Sequence, residues 1–72
     1  MAEKPTELSK LIAIATDFEL ASKLRTKATE MIGNIGNHEA LLALLELAAN
    51  ETLIKQEREL AIKYAREIIR ST

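Results

Sequence analysis

Ile32-Gly33-Asn34-Ile35-Gly36-Asn37-His38-Glu39-Ala40-Leu41 is the stretch on which the fold turns. Glycine accepts the left-handed conformation that ends a helix, and asparagine caps the start of the next one. Gly36-Asn37 therefore reads as a stop followed at once by a start. Gly33, one turn earlier, is either a tolerated interior glycine or an earlier stop. Upstream, Leu20, Leu24, Ala28, Met31, Ile32 and Ile35 recur at the helical period. Downstream, a helix from about His38 to Ala49 carries Leu41, Leu44, Leu45, Leu47 and Ala48. The centre of the chain is a helix–turn–helix.

The flanks extend this pattern to four helices. A first helix opens near Pro5 or Thr6, because proline suits the first helical position, and its stripe is Leu8, Leu11, Ile12 and Ala15. Thr16-Asp17-Phe18-Glu19 has the spacing of a capping box and opens the second helix. Asn50-Glu51-Thr52 is a turn or cap before a fourth helix, expected from about Thr52 to Arg70. On that helix Lys55, Glu59, Lys63, Arg66, Glu67 and Arg70 form one polar arc, with Glu59/Lys63 and Lys63/Glu67 spaced for side-chain pairing.

The two halves match when displaced by about 33 residues. Leu8 falls on Leu41, Leu11 on Leu44, Ala15 on Ala48 and Leu20 on Leu53; Arg25 falls on Arg58, Ala28 on Ala61 and Ile35 on Ile68. A period of this length marks stacked repeats. The quoted junction, an Ile-Gly pair, a short Asn-containing link and then Glu39-Ala40, resembles the junction of HEAT-like repeats of the phycobilisome-lyase type. Arg25-x-x-Ala28 and Arg58-x-x-Ala61 are similar to the Arg-x-x-Ala stretch of that family's second helix. The resemblance covers nearly all of the chain after Pro5. It implies an all-α fold of two αα-hairpin HEAT-like repeats, a short right-handed α-solenoid of four helices. Residues 1–5 are expected to form a flexible N-terminus, and 6–72 a single domain of two repeats, about 6–37 and 38–72. By resemblance only, it also implies a setting among bilin-attaching lyases or other phycobilisome machinery.

Composition narrows the function classes. Leu, Ile and Ala dominate the apolar set, with one Phe, one Tyr and no Val, which is a helix-forming vocabulary. There is no cysteine for a disulfide or a thiolate metal site. The longest apolar run, Leu11 to Ala15, is too short to span a membrane, and the first residues lack a signal-peptide core. A cytoplasmic protein with no membrane partner is expected. A formal net charge of −1 gives no general attraction to nucleic acid.

Each polar residue that could carry chemistry also has a structural role open to it. Arg25 and Arg58 sit at the edge of, or within, otherwise apolar arcs, and the structural reading has each guanidinium reach a carboxylate or a helix-terminal carbonyl in a neighbouring turn; the alternative is a grip on an anionic ligand. Glu57 interrupts the apolar arc of the fourth helix, either as a buried arginine partner or as an edge residue. A catalytic carboxylate needs a second positioned group, and none is visible, so no enzyme is expected. His38 alone makes no metal site, and no cofactor is expected.

The apolar arc of the fourth helix is the informative surface. Leu53, Leu60, Tyr64 and Ile68 form one flank and Ile54, Ile62 and Ile69 the other, together about half the circumference. Helices packed on one neighbour show a narrower stripe. Either the second and third helices wrap the surplus, or Ile54, Ile62 and Ile69 form an interface with a homodimer mate or protein partner. The function expected is therefore a small protein–protein interaction module, an adaptor or assembly factor. The alternative is a nucleic-acid-binding accessory using Lys/Arg of helices 2 and 4, which a basic stripe with aromatics would support and this sequence lacks.

Overall fold

The computed structural model describes residues 7–71, which form four α-helices and no strand: α1 (Glu7–Ala15), α2 (Ser22–Ile35), α3 (His38–Ala48) and α4 (Lys55–Ser71). The expected N-terminal segment 1–5 and a helix start at Pro5 or Thr6 lie outside the described residues. At the central junction Gly36 is left-handed, with φ 71°, and closes α2. The side chain of Asn37 then accepts the Ala40 N–H at 2.8 Å, satisfying one of the four free donors at the start of α3. Gly33 is interior to α2, and the reason lies across the fold. A Cβ there would stand 2.9 Å from Cγ of Tyr64, so glycine is what lets α2 come this close to α4.

Thr16 does not open α2. Its hydroxyl and its N–H both return to the Ile12 carbonyl, at 2.9 and 3.1 Å, so it closes α1. The Asp17 carboxylate accepts the Glu19 N–H at 3.0 Å, making a turn, and α2 starts only at Ser22, after an extended Ala21 with no side-chain cap. A short hydroxyl or carboxylate two or three residues from an N–H serves a turn as readily as a cap, and sequence spacing alone does not separate them. The same correction applies to α4. Asn50 accepts from the N–H of Thr52 at 3.0 Å, and the helix begins at Lys55 rather than at Thr52.

The links 16–21 and 49–54 use the same hydrogen bonds at positions 33 residues apart, as Asp17 and Asn50 are. Asp17 N–H donates to Ile14 and Asn50 N–H to Leu47; Leu20 donates to Asp17 and Leu53 to Asn50; Arg25 donates to Ala21 and Arg58 to Ile54. The two hairpins, α1 with α2 and α3 with α4, are joined because α2 also packs on α3 and α4. The result is a slab of 34 × 29 × 17 Å.

The core is small and rich in alanine. Leu11 and Ala15 of α1, Ala28 and Ile32 of α2, Ala40, Ala43, Leu44 and Leu47 of α3, Leu53, and Ala61, Ala65 and Ile68 of α4 are buried. One helix presents a different face from the one its large residues suggest. On α2 the buried set is Ala28, Thr29 and Ile32, while Leu24 and Met31 are exposed. On α3 the buried stripe holds Ala40, Ala43, Leu44 and Leu47, leaving Leu42 and Leu45 exposed. Alanines admit the neighbouring backbone closely, so small residues share the packed face with large ones.

Candidate functional site

Arg25 lies at the joint between the two hairpins. Its Nη2 donates to Oε2 of Glu57 at 2.9 Å, and its Nε lies 3.2 Å from both carboxylate oxygens. Nη1 donates to the Leu20 carbonyl at 2.6 Å and to that of Asp17 at 3.4 Å. The Phe18 ring covers the guanidinium carbon at 5.5 Å, in the range of a cation–π contact. Glu57 is completed by the Ser22 hydroxyl, which donates to Oε2 at 2.6 Å. The side chains are 11% and 4% exposed, so α2 and α4 hold a nearly dry ion pair between them. Among the described residues no buried side-chain polar atom lacks a hydrogen-bond partner.

Burial alone would push the pKa of Glu57 up, because it disfavours the charged carboxylate. The hydrogen bonds from Arg25 and Ser22 and the Arg25 charge outweigh it, so the carboxyl sits below its ordinary pKa. Glu57 is thus the partner of an arginine, held ionised. Arg58 repeats only part of this arrangement. Its Nε donates to the Leu53 carbonyl at 3.1 Å, five residues back as Leu20 is from Arg25, but it has no ion pair among the described residues. The position that matches Glu57 in the first hairpin is Leu24.

Two apolar surfaces flank this joint. On α4 and the two residues that precede it, the buried or half-buried flank is Leu53, Leu60, Tyr64 and Ile68, and the other is open: Ile54 is 49% exposed, Ile62 42% and Ile69 56%. The second and third helices do not cover it. The other surface went unseen in the sequence. Leu11, Ile14, Leu20, Leu24, Ala28 and Met31 line an open groove of about 240 Å³ between α1 and α2, with Lys27 the one polar residue in its wall. Leu24 and Met31 belong to the helical-period stripe of α2, and an apolar stripe on a helix looks the same whether or not another helix covers it. The signal available was the Leu24–Glu57 mismatch between the halves.

The remaining polar residues form a solvated surface. Lys63, Arg66 and Arg70 stand exposed toward the end of α4, where positive charge offsets the helix dipole. The ion pair formed on that polar arc is Lys55–Glu59 at 4.0 Å, between side chains that are both largely exposed. His38 is exposed in the first turn of α3. Among the described residues no group of three or more His, Cys, Asp or Glu could hold a metal ion, and no helix is long and apolar enough to cross a membrane. No protein-family profile, curated protein or solved structure gives a significant match to this chain.

Proposed function

We propose that the chain is a small protein–protein interaction module, an adaptor or assembly factor, built from two HEAT-like helix pairs stacked side by side. The recurrence of link hydrogen bonds at a spacing of 33 residues supports the stacked-pair reading. The observation that carries the binding role is the pair of open apolar surfaces on a domain whose centre is locked by a dry ion pair. Contiguous exposed apolar surface on so small a domain marks a place where another molecule sits. The polar residues of chemical interest, Arg25 and Glu57, satisfy each other and are turned inward. The resemblance of the junction to phycobilisome-lyase-type repeats makes bilin-attaching machinery the first setting in which to look.

The test is affinity capture from native extract with wild-type chain and with Ile62→Lys as baits. A partner retained by the first and lost by the second supports the module reading. Identical captures, with no specific protein on either, remove it.

A further inference from the structure

The α1–α2 groove and one side of α4 fall, position for position, on the two sides of the joint already made inside the chain; of the exposed isoleucines of that region, Ile62 lies at such a position. Within the molecule α2 lays Ser22, Arg25, Thr29 and Gly33 against α4: Ser22 and Arg25 bond Glu57, Thr29 is buried, and Gly33 meets Tyr64. The positions 33 residues on are Lys55, Arg58, Ile62 and Arg66, which run along the open side of α4. The surface that receives α2 includes Leu53, Glu57, Ala61 and Tyr64, all buried or half-buried. Its counterparts in the first hairpin are Leu20, Leu24, Ala28 and Met31, which line the groove. One end of the slab therefore carries an unfilled copy of the receiving surface, and the other an unused copy of the inserting one.

We infer that the α1–α2 groove receives the open side of α4 from a second copy of this chain, head to tail, in the register that α2 already uses on α4. This rests on the reading of the chain as an interaction module and specifies its partner and geometry. The differences between the inner and outer joints are matched at the centre. Inside, polar Thr29 is buried on α2 between Arg25, which bonds Glu57, and Gly33, which meets Tyr64; outside, Ile62 replaces the threonine while Leu24 and Met31 replace the glutamate and tyrosine. The centre turns apolar on both sides together, while Lys55 and Arg66, in place of Ser22 and Gly33, put charge at its ends. Arg58 is already drawn to the Leu53 carbonyl as Arg25 is to that of Leu20, so it would lie over Leu24 of the other copy.

The outer joint closes less tightly than the inner one. Glu7 and Lys10 stand where α3 has buried Ala40 and Ala43, and Arg66 stands where Gly33 lets the helices touch. Association is accordingly reversible. Because the joint pairs two different surfaces, it adds copies in a row rather than closing a twofold dimer.

Opposite charges at position 24 separate this geometry from any other use of the groove. Leu24→Glu supplies to Arg58 of the next copy the carboxylate that Arg25 finds in Glu57, and Leu24→Lys opposes Arg58 and Lys55. Sedimentation velocity on the purified full chain, up to about 200 µM, should show concentration-dependent association of the wild type. Leu24→Glu should tighten it by about tenfold or more, as one charge-assisted contact does, and should lose that gain when Arg58→Ala is added. Leu24→Lys and Ile62→Lys should each be monomeric, and mixing them should restore a 1:1 complex through the one intact joint. Thermal melts of these exposed-site variants should stay near the wild type. A monomeric wild type, equal effects of both charges at position 24, or a mixture that stays monomeric would each overturn the inference. If Ile62→Lys still abolishes capture of another protein from extract, the interaction-module reading survives that failure.

Discussion

Removing Glu57 would strand Arg25 in a nearly dry pocket with two carbonyls and a ring, and no counter-charge. Breaking one member of a buried pair costs roughly 3–5 kcal/mol, because the remaining charge loses its compensation. A chain of this length has about 4–11 kcal/mol in total. Glu57→Ala should therefore leave the domain partly unfolded at 25 °C, as urea titration followed by circular dichroism would show. Replacing both partners, Arg25→Met with Glu57→Leu, should recover most of the loss, since no buried charge remains and apolar packing replaces the pair. The pair also sets a pH response. The folded carboxyl of Glu57 lies below its unfolded value, so between the two values the unfolded state binds more protons and stability rises with pH. Its contribution is complete above the unfolded pKa of about 4.3 and is lost as pH falls through the lower folded value. In acid titrations, the urea midpoint of the wild type should fall more steeply below that pH than the midpoint of Glu57→Gln.

Elements show which parts of this fold can be read without coordinates. Gly36-Asn37 is legible because a left-handed stop and a side-chain cap need particular residue types, and both occur here in the expected roles. Asn37→Ala should cost about 1 kcal/mol in the same titration. The start of α2 is not legible, because Thr16, Asp17 and Glu19 satisfy a turn with the oxygens and spacing that would satisfy a cap. Nor is the face that α2 buries. Thr29 and Arg25 lie inside and Leu24 and Met31 outside, since what decides is whether a neighbour covers the stripe, and that neighbour is α4, more than 30 residues away in sequence. Gly33 is ambiguous for the same reason. On propensity alone Gly33→Ala should stabilise α2 by about 1 kcal/mol, but the new methyl would lie 2.9–3.0 Å from Cβ and the near ring carbons of Tyr64. Those atoms are at the root of the side chain and cannot swing away, so α2 must shift. A net loss of about 1–3 kcal/mol is expected, and it should shrink when Tyr64→Ala opens the space, a coupling that a double-mutant cycle would measure.

At the scale of the whole molecule, the distribution of charge bears on which class of partner, protein or nucleic acid, the surface suits. The basic residues are in part engaged and in part interleaved with acids: Lys63, Arg66 and Arg70 stand exposed on the α4 arc that also carries Glu59 and Glu67. Arg25 is consumed by Glu57, Arg58 is drawn to a carbonyl, Lys27 lies 3.8 Å from Glu30, and Lys55 pairs with Glu59. The continuous open surfaces are instead apolar, on α4 and in the α1–α2 groove. Binding to nucleic acid releases counterions for every phosphate neutralised, so several such contacts would lose roughly 10³–10⁵ in affinity between 50 and 200 mM salt. Apolar burial has no such dependence and is strengthened by excluded salts such as sulfate. Binding of a captured protein partner should therefore change little across that salt range, whereas Ile62→Lys, which puts a charge in the middle of the open α4 surface, should weaken it at least about tenfold, or ~1.4 kcal/mol. Because Ile62 is already exposed, the same substitution should move the urea midpoint by no more than a surface change does, within about 0.5 kcal/mol. Affinity lost with stability kept would place the function of this domain on its uncovered surface, while a joint loss of both would make Ile62 part of what holds the helices together.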